Sequence, residues 1–471
     1  PTQEQGQALD TFVSFLTDRD PQAVMILRGS AGTGKTSLSG AIVRTLLQIR
    51  QKVMLLAPTG RAAKVFSLGS GAPAYTIHRR IYREKAFAGV DGQFGLNDNL
   101  YTDTLFMVDE ASMIANMGLG GTTFGSGCLL DDLVKFVYQG HNDRLLLIGD
   151  KAQLPPVGEE ESPALSASVM EGYGLKVYEC DLNEVLRQSQ SSGILYNATL
   201  IRQMITHDAV TGLPLIRFKG FADIVMLPGA ELVESLGDSY HHVGMDETMV
   251  ITRSNKRANI YNNGIRNMVL DREEELSSGD MLMIVKNNYF WTEKEKKESG
   301  EGSAGAVPAF LANGDRAKVL RVSNYIELYG FRFATLLLQL PDYDDYEMQV
   351  TGMLDTLQSE APALTHEQQE ELFRQVEEDY QHFVPLKADR MKSIRQDAYF
   401  NALQIKYAYA VTCHKAQGGQ WAHVYVDQGY MTDDMLTPDY IHWLYTAFTR
   451  ATDKLFLVNW PKEQTCEPTD L

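Results

Sequence analysis

An α/β fold class is predicted from three observations in the amino-acid sequence. The apolar run Ala23 to Arg28 reads as a buried strand and passes directly into a glycine-rich stretch, Gly29 to Thr36, and then into a helical segment. Two further strand-like runs, Thr104 to Val108 and Leu145 to Ile148, end in the polar groups Asp109-Glu110 and Gly149-Asp150. Short apolar runs bounded by turn signals suit the central strands of a parallel sheet, which is buried on both faces.

At 471 residues the chain exceeds what one hydrophobic core organises, and domain sizes suggest about three or four compact units. Apolar residues at 44% and charged residues at 22% exclude a disordered or fibrous chain. No apolar run approaches the ~18 residues of a membrane span, and the opening PTQEQGQALD has no signal-peptide character, so a cytoplasmic location without a membrane partner is expected. Cys128, Cys180, Cys413 and Cys466 show no CxxC spacing, and reduced, inert thiols are expected. A formal net charge of −18 weighs against a protein that coats nucleic acid through a general positive field. Much of the acid is clustered, at Asp342 to Glu347 and at Glu367 to Asp379, and such clusters can face away from a local groove.

Taken in chain order, the first strand is followed by Gly29-Ser30-Ala31-Gly32-Thr33-Gly34-Lys35-Thr36, a complete P-loop in a strand-to-helix context. Its glycines let successive backbone N–H groups point at phosphates, Lys35 reaches the β- and γ-phosphates, and the Thr36 hydroxyl helps hold Mg²⁺. ATP and Mg²⁺ are the expected cofactors. Asp109 at the end of the second run suits the metal, and Glu110 suits a general base for the attacking water. An acidic pair after a strand is also a common helix cap, and the preceding P-loop favours the catalytic reading. Gln153 follows the third run at the edge where open α/β sheets bind ligands, placed to sense a γ-phosphate. None of this says what the energy of hydrolysis is used for.

The series GSAGTGKT, LLAPTGRAAK, VDEAS, GDKAQLPPVG, LNEVLRQ, YAVTCHKAQGGQ and LYTAFTRA resembles the motifs of superfamily 1 helicases, most of all the group B RecD-like and phage Dda-like 5′→3′ DNA helicases. The matches run from Gln5 to about Lys454, while residues 205–245 and 320–395 carry no motif. The resemblance implies two RecA-like P-loop domains. The first is expected at 1–78 and 104–180 with a small β-hairpin insertion at 79–103, the second at 181–286 and 398–471 with an SH3-like β-barrel insertion at 287–397. It further implies that Arg187 and Arg450 face the nucleotide across the cleft, where an arginine finger stabilises charge building on the γ-phosphoryl group. By the same resemblance Gln5 reads adenine. Gln420 replaces a Glu common at its position, which leaves a contact to the nucleotide sugar to its amide. Pro58, Thr59, Thr76, His78, Thr412, His414 and Lys415 are the implied contacts to a DNA strand.

Within 79–103 the turn signal Gly89-Val90-Asp91-Gly92 has Phe87 and Phe94 on either side, so the segment reads as a hairpin. The resemblance makes it a pin at the fork with a stacking aromatic; a surface loop with locally packed phenylalanines is the plain alternative. Single-stranded DNA and a duplex fork are the expected partners, with RNA less favoured, and a monomer is expected because both halves of the ATP site lie in one chain. DNA repair and recombination are the processes the resemblance suggests. An RNA helicase of the same superfamily, a motor subunit of a nuclease complex and a non-enzymatic P-loop module are the competing readings. Direction of travel rests on resemblance alone.

Overall fold

The computed structural model describes residues 2–88, 91–118, 125–185, 191–206, 212–299, 307–308 and 310–466. In the N-terminal part, β1 (Ala23–Gly29), β2 (Lys52–Ala57), β3 (Ala74–Thr76), the paired β4 (Tyr82–Ala88) and β5 (Asp91–Leu96), β6 (Thr104–Val108), β7 (Arg144–Gly149) and β8 (Lys176–Leu182) follow in chain order. All but β4 and β5 form one parallel sheet in the order β3-β2-β6-β7-β1-β8. Alternate residues of its central strands fill two different cores. Val24, Ile26, Phe106, Val108, Leu145 and Leu147 face one, and Met25, Leu27, Leu105, Met107, Leu146 and Ile148 face the other. Burial on both faces is why these strands read as unbroken apolar runs. Because β6, β7 and β1 are neighbours, the strand ends carrying Asp109, Asp150 and the glycine-rich loop open side by side.

The C-terminal part holds β9 (Ile224–Leu227), β10 (Thr248–Thr252), β11 (Met281–Ile284), β12 (Arg316–Leu328), β13 (Phe331–Leu340), β14 (Tyr346–Met353), β15 (Leu403–Tyr407), β16 (Ala410–Thr412), β17 (Trp421–Asp427) and β18 (Ala451–Val458). A second parallel sheet has the order β16-β10-β17-β18-β9, and β11 to β15 close a barrel. The barrel reaches beyond the segment 287–397 expected for it. Its first and last strands, β11 and β15, come from the flanks, since a small sheet removes its exposed edges by closing on itself. β12 and β13 are joined through Tyr329 and Gly330, both at positive φ (57° and 76°), as a two-residue hairpin turn with the strands' own twist requires.

Residues of the barrel and the second sheet share one continuous core, among them Ile251, Val426, Leu282, Val319 and Leu336. The acidic cluster Glu367 to Asp379 lies in the helix His366–Gln381, behind a Thr365/Gln368 capping box. It is not wholly solvated: Leu372 and Val376 are buried with Phe331, Phe333 and Met353 of the barrel. In the first domain β4 and β5 pair from Tyr82↔Leu96 to Ala88↔Asp91. The turn residues Gly89 and Val90, and the Phe87 side chain, lie outside the described residues.

The junction between sheet and barrel is held by one carboxylate. Asp280, fully buried just before β11, accepts from Arg266 Nε (3.0 Å) and Arg272 Nη1 (2.6 Å) and from the Tyr409 hydroxyl (2.8 Å) on one oxygen. Its other oxygen accepts from Arg266 Nη2 (3.0 Å) and the Ser277 amide (2.7 Å). Removing a partner from a buried pair leaves uncompensated charge. Asp280→Ala is expected to destabilise the protein by about 3–5 kcal/mol in denaturant unfolding; a loss below about 1 kcal/mol would show that the two guanidinium groups find water instead.

Candidate nucleotide cleft and strand track

The glycine-rich loop follows β1 and turns through Gly32 and Gly34, both at φ 78°, before the helix Lys35–Gln48. Gly34 caps that helix without a side chain, so the N–H groups of the first turn converge with the helix dipole on an anion site. Lys35 Nζ donates to the loop's own Gly29 carbonyl at 3.1 Å. Thr36 is exposed beside it. On the neighbouring helix Gln3–Leu16, Gln5 donates through Nε2 to the Thr33 carbonyl (3.1 Å), which sets its amide against the loop.

Asp109 and Glu110 stand opposite. Asp109 is buried, and its Oδ1 accepts from the Glu110 amide at 2.9 Å. Burial and then the Glu110 charge push its carboxyl up to about 6, against the pull of Lys35. Glu110 sits at φ 53°, ψ 37°, a left-handed conformation that costs a non-glycine residue about 1–2 kcal/mol and recurs at functional sites. With the Gln153 amide oriented to satisfy both neighbours, its nitrogen donates to Glu110 Oε2 and its oxygen accepts from Arg450 Nη2, each at 3.3 Å. The two parallel-sheet domains therefore meet in a chain of Glu110, Gln153 and Arg450.

Arg450 is 2% exposed and is held by its own domain through Nε to the Thr446 carbonyl (3.0 Å) and Nη1 to the Gly419 carbonyl (3.0 Å). The segment after β7 is fastened to the same domain at successive positions. Leu154 N donates to Thr446 Oγ1 (2.8 Å), Gln417 Nε2 donates to the Leu154 carbonyl (2.7 Å), and His442 Nδ1 lies 2.9 Å from the Ala152 carbonyl. Three residues not singled out from the sequence join them. Tyr445 bonds Asp150 and the Ala31 amide, and Arg202, on the helix Gly193–Thr206, donates to Ser30 Oγ. Asp150 and Tyr445 lie inside quoted motifs, but their pairing spans 295 positions and no local spacing signals it. Arg187 lies outside the described residues.

The expected strand contacts come from both domains. Thr59 caps the helix Gly60–Ser70 by accepting from the Ala62 amide (3.2 Å), and a Cβ at Gly418 would lie 3.0 Å from its Oγ1. This brings Thr59, next to Pro58, against Gly418, which follows Thr412 at the end of β16 and His414 and Lys415 on the short helix Cys413–Ala416. Lys415 is half-buried, bonded to Asn313 Oδ1 beside the barrel, and burial lowers its ammonium to about 8. Gln420 is exposed, and its carbonyl accepts from Arg61 at 2.9 Å. Thr76 ends β3 opposite Ala57, the residue before Pro58 and Thr59, and caps the helix Ile77–Ile81 that carries His78. The His78 ring packs 5.6 Å from Tyr82, and burial lowers its pKa to about 4, so at neutral pH it offers a neutral ring rather than a cation. Phe94 is not at the hairpin tip: opposite Glu84, it packs on Tyr289 (4.5 Å between centroids), which stacks on Phe310 (4.7 Å).

Residues 2–211 match the AAA domain family, and residues 407–458 match the UvrD-like helicase C-terminal domain family. The ATP-dependent RecD2 DNA helicase of Deinococcus radiodurans is 30% identical over 157 residues, 33% of this chain and 18% of that protein. The chain is thus similar to the AAA domain family in its first part and to the UvrD-like helicase C-terminal domain family near its end. An uncharacterized protein of Methanocaldococcus jannaschii is 33% identical over 168 residues, 33% of this chain and 13% of that protein, so the matched segments span under a fifth of these two relatives. An uncharacterized protein of Acanthamoeba polyphaga mimivirus is 22% identical over 93% of this chain and 96% of its own length. A solved structure of Pif1 helicase from Bacteroides in complex with ADP-AlF3 and ssDNA is similar at a TM-score of 0.47 and 13% identity, covering 99% of this chain and 94% of that one. Among the described residues no helix is long and apolar enough to cross a membrane.

Gly418 tests the contact between the domains. It sits at φ 74°, and a Cβ there would meet Thr59 Oγ1 at 3.0 Å and Ala62 Cβ at 3.1 Å, whereas Gly429, at φ 70°, has nothing within 4 Å. Gly418→Ala and Gly429→Ala are each expected to lose about 1–2 kcal/mol from the backbone alone. Thermal unfolding should show a further loss for Gly418→Ala only; equal losses would mean that the two domains yield at no cost.

Proposed function

We propose that the protein is an ATP-dependent DNA helicase that moves 5′→3′ on a single strand and separates duplex ahead of it. The observation that carries this reading is the Glu110, Gln153 and Arg450 chain, which joins the hydrolytic carboxylate of one domain to an arginine of the other beside the P-loop. Such an arrangement makes hydrolysis depend on whether the cleft is closed, and a cleft that opens and closes once per turnover is what moves two strand-holding domains relative to one another.

ATP lies along the helix N-terminus with its phosphates against the N–H groups from Gly29 to Thr36, and Gln5 is placed to read its base. Lys35 exchanges the Gly29 carbonyl for the β- and γ-phosphates. Thr36 and Asp109 are a hard-oxygen pair that fits Mg²⁺, and Asp109 is buried with the Glu110 charge beside it, where a cation would favour its ionised form. When bound, Mg²⁺ neutralises charge on the β- and γ-oxygens. Glu110 takes the proton of the attacking water, Gln153 keeps its carboxylate in register with Arg450, and Arg450 stabilises the charge that builds on the γ-phosphoryl oxygens. Arg187 is assigned the second arginine position by its motif. Pro58, Thr59, Thr412, His414 and Lys415 hold the strand, with Thr76, His78, Phe87 and Phe94 as further contacts on the hairpin side. The 5′→3′ direction and the choice of DNA over RNA are carried over from the family.

A tailed-duplex assay tests the function. With ATP and Mg²⁺, DNA with a 5′ single-stranded tail should be unwound, and DNA with only a 3′ tail or an equivalent RNA duplex should not. Lys35→Ala should abolish turnover while strand binding survives, and Arg450→Ala should lower turnover by at least ~10³. Unwinding from the 3′ tail would reverse the polarity, and near-normal turnover in folded Lys35→Ala would remove the site.

The raised pKa of Asp109 adds a pH dependence. A raised carboxyl is protonated below about 6, and a protonated carboxyl does not hold Mg²⁺, so hydrolysis should fall as pH drops through that value. Metal and proton compete for one group, so the acid limb should move to lower pH as Mg²⁺ is raised. A limb measured between about pH 5 and about pH 8 that ignores Mg²⁺ concentration would assign it to another group.

A further inference from the structure

Tyr445 lies on the helix Pro438–Phe448, five positions before Arg450, and its side chain crosses into the other domain. The hydroxyl donates to Asp150 Oδ2 at 2.6 Å and accepts from the Ala31 amide of the P-loop at 3.0 Å. A phenol has one proton to give, so its donor is committed to the segment after β7 and its acceptor to the phosphate loop. The residue is 1% exposed and Asp150 is 4% exposed, which leaves little room for water to replace either bond. Around Asp150 the facing charges are Lys35 and Glu110, which places the Tyr445 hydroxyl at the margin of the phosphate and hydrolytic groups. Burial and the neighbouring carboxylate hold the phenol far above its ordinary pKa, so it stays a proton donor over the working pH range.

The same helix makes the next contacts in series. Thr446 Oγ1 accepts from Leu154 N (2.8 Å), and the Thr446 carbonyl holds Arg450 Nε at 3.0 Å. Moving the Tyr445 ring away from Ala31 and Asp150 therefore moves the carbonyl on which the Arg450 guanidinium rests.

We propose that Tyr445 is a positioning residue for hydrolysis: its hydroxyl ties the P-loop and Asp150 to the helix that carries Arg450, so that the arginine takes its place only when the P-loop is seated against the second domain. This deepens the function proposed above and rests on Arg450 acting in hydrolysis. The hydroxyl contributes through Arg450 and makes no contact of its own with the reacting phosphoryl group.

Tyr445→Phe keeps the ring that packs in the cleft and removes one oxygen, so the variant is expected to fold. Losing a hydrogen bond to a charged group should lower kcat for strand-stimulated ATP hydrolysis by at least about tenfold, with KM for ATP nearly unchanged. A merely structural defect could mimic that result, so the deciding measurement is a double-mutant cycle with Arg450→Ala. If Tyr445 works by placing Arg450, Tyr445→Phe should cost less than about twofold in the Arg450→Ala background. Equal losses in both backgrounds would make its effect independent of Arg450 and overturn the proposal. Normal turnover in Tyr445→Phe, with Arg450→Ala strongly impaired, would overturn it and leave the proposed function standing. Normal turnover in Arg450→Ala would remove both.

Discussion

Satisfaction of buried polar groups across the cleft is the constraint on which the rest of the structure depends. Between Asp150 and Leu154 the first domain presents a carboxylate, two carbonyls, an amide N–H and a side-chain amide toward the second domain, and Tyr445, His442, Arg450, Thr446 and Gln417 meet them. Each such group left without a partner costs about 1–3 kcal/mol. The seam is therefore cooperative: losing one bond through a hinge movement exposes its neighbours to the same penalty, and the cleft favours discrete arrangements over a continuum. The function proposed above, in which two domains separate and rejoin, would use such a boundary.

Both parallel sheets depend on the seam for what lies at their edges. β6, β7 and β1 bring Asp109, Asp150 and the P-loop side by side, but the sheet cannot supply the opposing cation. That comes from Arg450, which directly precedes β18 and is almost wholly enclosed by its own domain's carbonyls. Its enclosure fixes the geometry before any phosphate arrives, and a preorganised donor needs little rearrangement when charge develops. Glu110 tells the same story from the other side, since a left-handed backbone at a non-glycine residue persists only where its surroundings hold it.

Legibility in the sequence followed locality. The P-loop, the acidic pair and Gln153 could be read because each follows its strand directly, and a strand buried on both faces announces itself as an apolar run. A barrel within 287–397 was legible through the resemblance, and β13, with alternating burial along Phe331–Leu340, lies inside that range. The barrel's outer strands were not, because Met281–Ile284 and Leu403–Tyr407 look like any other short apolar strands and only their pairing assigns them to the barrel. Tyr445 and Arg202 were missed because their partners lie in another domain. His78 was assigned to the strand by resemblance alone, and its local sequence does not reveal that burial outweighs the pull of Asp132 and keeps the ring neutral.

Net charge says little about a local groove. A value of −18 describes the whole chain, yet many carboxylates are occupied inside the protein. Asp280 serves two arginines, Asp427 serves Arg257, and Asp342 lies within reach of Arg61 and Lys64 where the first domain meets the barrel. Others pair along the exposed helix His366–Gln381, where Glu371 and Glu378 flank Arg374. A carboxylate paired in this way contributes to the sum but little to the field at a distant groove, and salt screens beyond about 8–10 Å what remains. The cations of a strand track can be few if they are poorly solvated. Lys415, whose burial lowers its affinity for a proton, gains more from an arriving phosphate than a lysine in open water, because it has less hydration to give up. What decides whether an acidic chain holds a nucleic acid is the solvation of a handful of groups along one path, and that is set by the fold rather than by composition.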